Sequence, residues 1–313
     1  MKSVLVLGGT GMLGSMVTDE LSRKADLCVT STYRATGRYA PVPMDRVSWH
    51  AFDAAADELA AALTACGRYD WIINAIGITK PLIRDDNAQQ IERAIRINAL
   101  LPHAIAAWAQ DTDARVVQIA TDCVYSGSKG SYTETDSHDA WDVYGKTKSL
   151  GECHTANTAH LRCSIIGPEP KDNKFLIEWF RAQPAGGSVN GFVNHKWNGI
   201  TTMHFARICR GIIEMEPALP HLQHIVPKGA ISKAQMLHEF AVAYGRLDLT
   251  INDTDAASVI DRTLATNDPG SNARLWEAAG YHEPPTVAEM IGEVARYEYR
   301  FCPTQSPWAR QHA

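Results

Sequence analysis

Residues 3–14 run Ser3-Val4-Leu5-Val6-Leu7-Gly8-Gly9-Thr10-Gly11-Met12-Leu13-Gly14, and this stretch decides the fold class. Ser3–Leu7 is short, β-branched and continuously apolar, the pattern of a parallel strand buried on both faces. Glycines follow at once, and a helical pattern runs from Met12 to about Arg23. The glycines let the backbone turn tightly and approach a pyrophosphate, while the start of the helix offers N–H groups and positive potential. A glycine cluster alone marks only a tight turn; a strand before it and a helix after it make a dinucleotide cradle. Gly8, Thr10, Gly11, Met12, Leu13 and Gly14 are the expected cofactor contacts.

Working outward, strands and helices alternate. A second strand, Leu27–Thr32, ends in Tyr33-Arg34. Position 34 lies about 20 residues past Gly14, where an NAD-binding fold carries an acid for the ribose hydroxyls. No acid occurs between Asp26 and Asp45, and Arg34 can pair with a 2′-phosphate, so NADPH is favoured over NADH. The plainer reading of Arg34 is a solvated loop residue. Val47–Phe52 is the third strand, and Asp53 at its end can accept from an adenine amino group or N-cap the alanine-rich helix through Leu63. Trp71–Asn74, the fourth strand, breaks into Ala75-Ile76-Gly77 beside the cofactor's expected path. Lys80 sits in the following loop, at the strand end where ligands bind in parallel sheets, although an exposed lysine is usually only solvated. From Asn87 to about Gln110 one long helix is expected, kinked or locally opened at Pro102. Asn98, among apolar neighbours, needs a buried partner, either a backbone carbonyl or a water chain serving the active site.

The fifth strand, Val116–Ala120, delivers Thr121 and Asp122 at its end. Two Tyr/Lys pairs follow with four-residue spacing, Tyr125/Lys129 and Tyr144/Lys148. On a helix such a pair shares one face, about 5–6 Å apart at Cβ, and an ammonium there can lower the phenol's pKa. Two glycines and two serines occupy Tyr125–Gly130, which is loop chemistry, whereas Trp141–Ala156 reads as a proline-free helix. Tyr144 and Lys148 are therefore the catalytic candidates, with Thr121 placed to hold a substrate oxygen beside the phenol.

Ala159–Cys163 is a sixth strand, with Ile165 just past its end; beyond it the alternation loosens. Helices are expected over Lys174–Arg181, Thr202–Ile213, Ser232 to about Tyr244, Ser271–Ala279 and Thr286–Tyr297, with His224–Val226 returning to the sheet. Phe301–Ala313, holding Pro303 and Pro307, is expected to be a poorly packed tail. The whole reads as an α/β fold: a Rossmann-like doubly wound parallel sheet with a smaller C-terminal α/β substrate-binding region. The expected divisions are a nucleotide-binding domain over 1–165, a substrate region over 166–300 partly interleaved with the sheet, and a tail over 301–313.

Composition narrows the partners. A net charge of −5 and no long basic run give no reason to expect nucleic acid. No apolar run approaches a membrane span, and Met1-Lys2 leads into VLVLGG without a signal-peptide shape. Seven cysteines with no Cys-x-x-Cys pair suit reduced thiols in a cytoplasmic protein. The histidines lack helical metal-binding spacing, and no metal site is expected.

These residues together resemble an extended short-chain dehydrogenase/reductase, and within it the dTDP-4-dehydrorhamnose reductase branch. The resemblance rests on Gly8, Gly11 and Gly14; Asn74-Ala75-Ile76-Gly77; Asn98; Thr121-Asp122; Tyr132-Thr133-Glu134; Tyr144-Gly145-Lys146-Thr147-Lys148; Gly151-Glu152; Leu161-Arg162; and Asp261-Arg262-Thr263-Leu264. It implies NADPH-dependent reduction of the C4 keto group of a nucleotide-diphospho-4-keto-6-deoxysugar, and it leaves room for a homodimer. Tyr144 would protonate the oxygen, Lys148 would bind the nicotinamide ribose and lower the Tyr144 pKa, and Thr121 would stand for the usual serine. Ile165 would line the nicotinamide side. Cys123 stands where the branch has an aromatic residue, and Ala140 where it often has proline. The loop after Asn74 also departs from the branch, which leaves the sugar open. Lys80, Asp122, Cys123, Asn190, Asn194, His195, Lys196 and Trp197 are the candidate substrate contacts; the alternative for Asn190–Asn198 is an ordered surface turn. Competing functions are a non-catalytic NADP-binding subunit of the same fold, or an epimerase or dehydratase.

Overall fold

A computed structural model describes residues 1–35, 41–55, 58–170 and 174–301. In chain order it forms β1 (Lys2–Leu7), α1 (Met12–Ser22), β2 (Leu27–Tyr33), β3 (Val47–Ala51), α2 (Leu59–Ala65), β4 (Trp71–Asn74), α3 (Ala88–Ala94) and α4 (Leu101–Asp111). Then come β5 (Arg115–Ala120), α5 (Val143–Leu150), β6 (Thr158–Arg162), β7 (Ile165–Ile166), α6 (Leu176–Arg181), β8 (Ser188–Phe192), β9 (His195–Trp197), β10 (Ile200–Thr201) and α7 (Thr202–Met215). The chain closes with β11 (Leu222–His224), β12 (Ile231–Ser232), α8 (Lys233–Ala243), β13 (Thr250–Thr254), β14 (Ile260–Asp261), α9 (Pro269–Ala278) and α10 (Val287–Arg296).

Seven strands form one parallel sheet in the order β11-β6-β5-β4-β1-β2-β3. The order reverses between β1 and β4, the crevice where ligands lie in open α/β sheets. The expected return near His224 occurs as β11, so the sheet's last strand comes from the second half of the chain. One apolar core joins Val4 and Val6 to α1, α7, α9 and α10 on one face; the other gathers Leu5, Leu7, Ile72 and Val116 beneath α2 and α4. The remaining short strands make small sheets, of which β12-β9-β14 and β13-β8 lie in the C-terminal region. This is the doubly wound α/β fold with a smaller α/β region expected from the sequence.

Several local expectations change. The long helix over 87–110 opens into a π segment at Ile95–Leu100, directly before Pro102, whose missing N–H removes a helical hydrogen bond. Asp53 does not cap α2. Its Oδ1 accepts from Ala55 N at 3.0 Å, and Glu58 takes the cap through Ala60 N and Ala61 N. The Tyr144 helix is shorter than expected, starting at the Asp142 cap and stopping at Gly151. Phe301 is not loose tail. It is buried and stacks edge-on against Trp49 at 5.8 Å, while the residues after it lie outside the described ones.

The segment entering Phe301 clasps α1. Asp19, fully buried on that helix, accepts from Arg300 N at 2.8 Å and Arg300 Nε at 2.7 Å, and Tyr297 OH donates to Glu20 at 3.0 Å. Truncation at Arg300 strips a buried carboxylate of its best donor while leaving Arg23 nearby. Arg300→Ala is expected to lower the unfolding free energy by about 1–3 kcal/mol. Urea denaturation followed by tryptophan fluorescence measures it, and an unchanged midpoint would show that the clasp adds nothing.

Candidate active site

The candidate site residues gather at the C-terminal ends of β1, β4, β5 and β6. Gly8 leaves β1 with φ +86°, and its N–H donates to Thr32 Oγ1 at 2.8 Å, fastening the glycine turn to β2. A Cβ on Gly14 would stand 2.2 Å from the Gly8 carbonyl oxygen, so only glycine lets α1 pack onto the turn. Gly11 caps α1 without any side-chain hydrogen bond, leaving the first-turn N–H groups open. An uncapped helix start behind a glycine-rich turn fits the pyrophosphate of a dinucleotide. Thr10, Met12 and Leu13 belong to the same turn, and Arg34 lies exposed just past β2. Tyr33 is half-buried, its ring edge-on to Trp49 at 6.4 Å.

The turn after β4 is shaped by two amides. Asn74 donates to Gln118 Oε1 at 2.7 Å and accepts from Ile76 N at 3.1 Å. Asn98, in the π segment, accepts from Ile78 N at 2.9 Å and donates to Ile78 O at 3.0 Å and Thr147 Oγ1 at 3.3 Å. Of the two partners open to Asn98 in the sequence, the protein uses the backbone. One side chain thereby ties the Ala75-Ile76-Gly77 turn to both the π segment and α5.

That helix carries the Tyr/Lys pair. Its two glycines are contact points: a Cβ on Gly145 would lie 2.6 Å from the Cys123 carbonyl oxygen, and one on Gly151 would lie 2.0 Å from the Asn98 carbonyl oxygen. Ala140 N donates to Val124 O at 3.0 Å, a bond that a proline at 140 would lose. Thr121 ends β5, receives Cys123 N at 3.2 Å and donates to Asp122 Oδ1 at 3.2 Å. The half-buried Tyr144 phenol is pushed up by burial and by the neighbouring Cys123, against the opposing pull of a Thr121 hydrogen bond. Lys148 is buried, donates to Ile119 O at 3.0 Å, and is pushed down to about 8 by burial, partly offset by Glu152. In this structure Lys148 does not pull the phenol down as expected; burial dominates and favours the neutral phenol.

The rival pair is separated by its surroundings. Tyr125 is fully buried, stacked on Tyr132 at 4.3 Å, and receives Arg162 at 2.6 Å, while Lys129 pairs with Asp136. Cys123 has its thiol pushed up to about 12 by burial and by Asp122, which keeps it protonated.

The candidate substrate residues divide. Lys80 pairs with Asp142 Oδ2 at 2.7 Å, joining its loop to the cap of α5. Asn190, exposed on β8, accepts from Asn252 at 3.3 Å. Asn194 makes two bonds to the Ala256 backbone, both 2.9 Å, and His195 meets Ser258 O at 2.9 Å. These three side chains brace an ordered turn. Lys196 is exposed, and Trp197 is buried with Nε1 donating to Ser164 Oγ at 2.9 Å, next to Ile165. Two residues join the site that the sequence did not offer as site residues: Lys233, and Arg262, which stood in the family pattern without a role. Lys233 lies 5.3 Å over the Trp197 ring, and both Lys233 and Arg262 act electrostatically on Asp122 and Cys123. Nothing local marks Lys233, which follows an ordinary helix cap, and the motif around Arg262 named no role for it.

Residues 1–241 match the family model described as the RmlD substrate binding domain. A segment of 86 residues is 40% identical to the dTDP-4-dehydrorhamnose reductase of Salmonella typhimurium, covering 27% of this chain and 28% of the relative. The match thus spans little more than a quarter of that relative's length. The dTDP-4-dehydrorhamnose reductase of Bacillus anthracis, solved in complex with NADP, superposes with a TM-score of 0.68 at 16% identity over 94% of this chain and 98% of the other. The UDP-glucuronic acid 4-epimerase of Bacillus cereus, solved with UDP-glucuronic acid and NAD, gives a TM-score of 0.69 at 14% identity over 94% and 99%. At such identities the likeness establishes the shared fold. The branch resemblance read from the motifs is borne out by the family match, which runs through the glycine turn, the Thr121 strand end and the Tyr144 helix. This chain is a member of the RmlD substrate-binding-domain family.

Proposed function

We propose that this protein is an NADPH-dependent reductase of the C4 keto group of a nucleotide-diphospho-4-keto-6-deoxysugar. The observation that carries the reading is the meeting of Thr121 and Tyr144 at the end of β5, with Lys148 buried one turn further along the same helix. When bound, NADPH supplies the hydride for carbon 4. Gly8–Gly14 and the open start of α1 hold its pyrophosphate, Arg34 its 2′-phosphate, and Ile165 and Ala75–Gly77 line its path.

Tyr144 donates the proton. Because burial favours its neutral form, the phenol retains a proton to give at neutral pH. Thr121 turns its hydroxyl from Asp122 to the substrate oxygen and steadies the charge that develops there. Lys148, an ammonium below about pH 8, offsets the phenolate left on Tyr144 after transfer. The B. cereus relative shows that this fold also hosts a 4-epimerase, so product analysis must accompany rate. Net oxidation of NADPH separates reduction from epimerisation and from dehydration.

Incubation with NADPH and a panel of nucleotide-diphospho-4-keto sugars is expected to show loss of nicotinamide absorbance. Tyr144→Phe is expected to reduce kcat by at least about 100-fold, as loss of a general acid does. No turnover on any substrate, with Tyr144→Phe binding NADPH as wild type does, points instead to a non-catalytic NADP-binding subunit. Arg34→Ala is expected to weaken NADPH binding by about 10-fold while leaving NADH unchanged; fluorescence titration with both cofactors decides, and an unaltered ratio removes Arg34 from the site. The pH dependence has a definite sign. Above about pH 8 Lys148 loses its charge, so kcat is expected to fall as pH rises through that value. A flat profile to pH 9.5 contradicts the role given to Lys148.

A further inference from the structure

We propose that Tyr299 and Phe301 are positioning residues for the cofactor, backing the glycine turn from behind and setting how tightly it holds a dinucleotide. The inference rests on the reading of Gly8–Gly14 as the pyrophosphate cradle, and it adds residues from the far end of the described chain.

Backbone bonds fix one side of the turn to β2. Gly8 N donates to Thr32 Oγ1 and Gly9 N to Thr32 O, both at 2.8 Å, and Gly11 N donates to Gly8 O at 2.9 Å. Two other points of the turn are backed by side chains, and each leads to the C-terminal segment. Behind Gly9 lies Trp49: a Cβ on Gly9 would stand 3.0 Å from Cζ3 of that indole. Phe301 meets the same indole edge-on at 5.8 Å, and Tyr33, which precedes Arg34, meets it edge-on at 6.4 Å. The buried Trp49 Nε1 has no hydrogen-bond partner among the described residues, so packing alone holds this ring against the turn.

Behind Gly11 lies Ser15. Its Oγ faces two carbonyls, Gly11 O at 2.6 Å and Met12 O at 3.3 Å, and gives its one proton to the nearer. In the contact between Ser15 and Tyr299 the phenol is therefore the donor. Two hydrogen bonds in series run from Tyr299 through Ser15 to the carbonyl of the residue that caps α1, and bonds in such a chain strengthen one another. Ser15 and Tyr299 are both buried, which shields the chain from bulk water.

The segment is docked by other contacts. Arg300 takes Asp19, Tyr297 OH donates to Glu20, and Arg23 lies over the Tyr297 ring at 4.9 Å. All of these act on α1 beyond its first turn, whereas Tyr299 and Phe301 back Gly11 and Gly9. An anion at the turn needs its N–H groups in one geometry, and affinity is gained when that geometry exists before the ligand arrives. By reciprocity, a bound dinucleotide holds the C-terminal segment more firmly.

The test compares three variants. Tyr299→Phe removes one hydroxyl and keeps the ring; Phe301→Leu keeps apolar bulk and loses the edge contact. Arg300→Ala is the control, since it weakens docking of the segment but lies on neither line to the turn. Each is titrated by fluorescence with NADPH and with NADH, under conditions where urea denaturation shows it folded. Tyr299→Phe and Phe301→Leu are expected to raise both dissociation constants by about 3- to 10-fold, as loss of one hydrogen bond or one aromatic contact does. Both cofactors share the pyrophosphate, so the loss is equal for the two, unlike that of Arg34→Ala. Arg300→Ala should bind both within about twofold of wild type despite its lower stability. Unchanged constants in Tyr299→Phe and Phe301→Leu overturn the proposal. So does an equal loss in Arg300→Ala, which would mean a general loosening of α1. If the first two variants do not fold, hydrogen exchange of the wild type decides. NADPH is expected to slow exchange in peptides covering 297–301 by at least about threefold, and identical rates with and without it overturn the proposal. A wild type that binds neither cofactor ends the cradle reading and this inference with it, whereas unchanged variant constants end this inference alone.

Discussion

How closely α5 can approach the loop after β5 fixes where the candidate site residues sit. The approach is made at two glycines, one against the Cys123 carbonyl and one against the Asn98 carbonyl. At either place a methyl group would demand that backbone move, and well-packed interiors yield to such intrusion only at a cost of about 1–3 kcal/mol. Between those two contacts the helix turns its Tyr144–Lys148 face to the end of the sheet. Asn98 then locks the arrangement from outside, since its single amide bonds to the loop after β4 and to Thr147 on the same helix. The π segment that carries Asn98 exists because Pro102 cannot complete the helical ladder. A backbone defect in one helix thus becomes the brace for another.

Burial sets the electrostatic character of the site as firmly as it sets the geometry. The same desolvation moves Tyr144 up and Lys148 down, so each leans toward its neutral form. A neutral phenol is what a proton donor requires. A neutral lysine is not what a phenolate requires, and here Glu152 intervenes. It lies one turn beyond Lys148 and also pairs with the fully buried Arg162, which repels Lys148. Without Glu152, two cations would share a dry environment with no acid between them. The Gly151-Glu152 and Leu161-Arg162 steps of the family pattern therefore bear on the charge state of Lys148 as well as on packing.

The first half of the chain was legible because its signals are local. Apolar runs such as Ser3–Leu7 and Trp71–Asn74 become buried parallel strands, and Gly8–Gly14 can do little except turn and cradle. Pro102 marked a break, though not its π form. The second half was legible only in its helices, such as the one capped by Ser232. Its strands are often two or three residues long, and a strand of two residues has no periodicity to detect. The placement of Lys233 and Arg262 depends on those strands, so Lys233 escaped notice and Arg262 was seen only as part of a motif. Asn190, Asn194 and His195 drew attention by composition, yet their polar groups are consumed by backbone and side chains across the turn. Phe301 was misjudged because prolines follow it, whereas its own ring had an aromatic partner far back in the first half of the chain, Trp49.

The two halves are also bound electrostatically, along α1. This helix offers its open N-terminus to an anion, yet it carries Asp19 and Glu20 about 12 Å further along, both buried. Uncompensated carboxylates at that depth would oppose any phosphate at the helix start and would themselves be costly to desolvate. The compensation comes mostly from the second half of the chain. Arg300 takes Asp19 with help from Arg23, while Arg210 of α7 and Tyr297 take Glu20. The glycine turn can therefore be complete in the first 14 residues and still depend on residues 210 and 297–300 for its charge balance. The half of the chain that carries the glycine turn, cut away from the rest, would keep that turn and lose the groups that neutralise the carboxylates of α1.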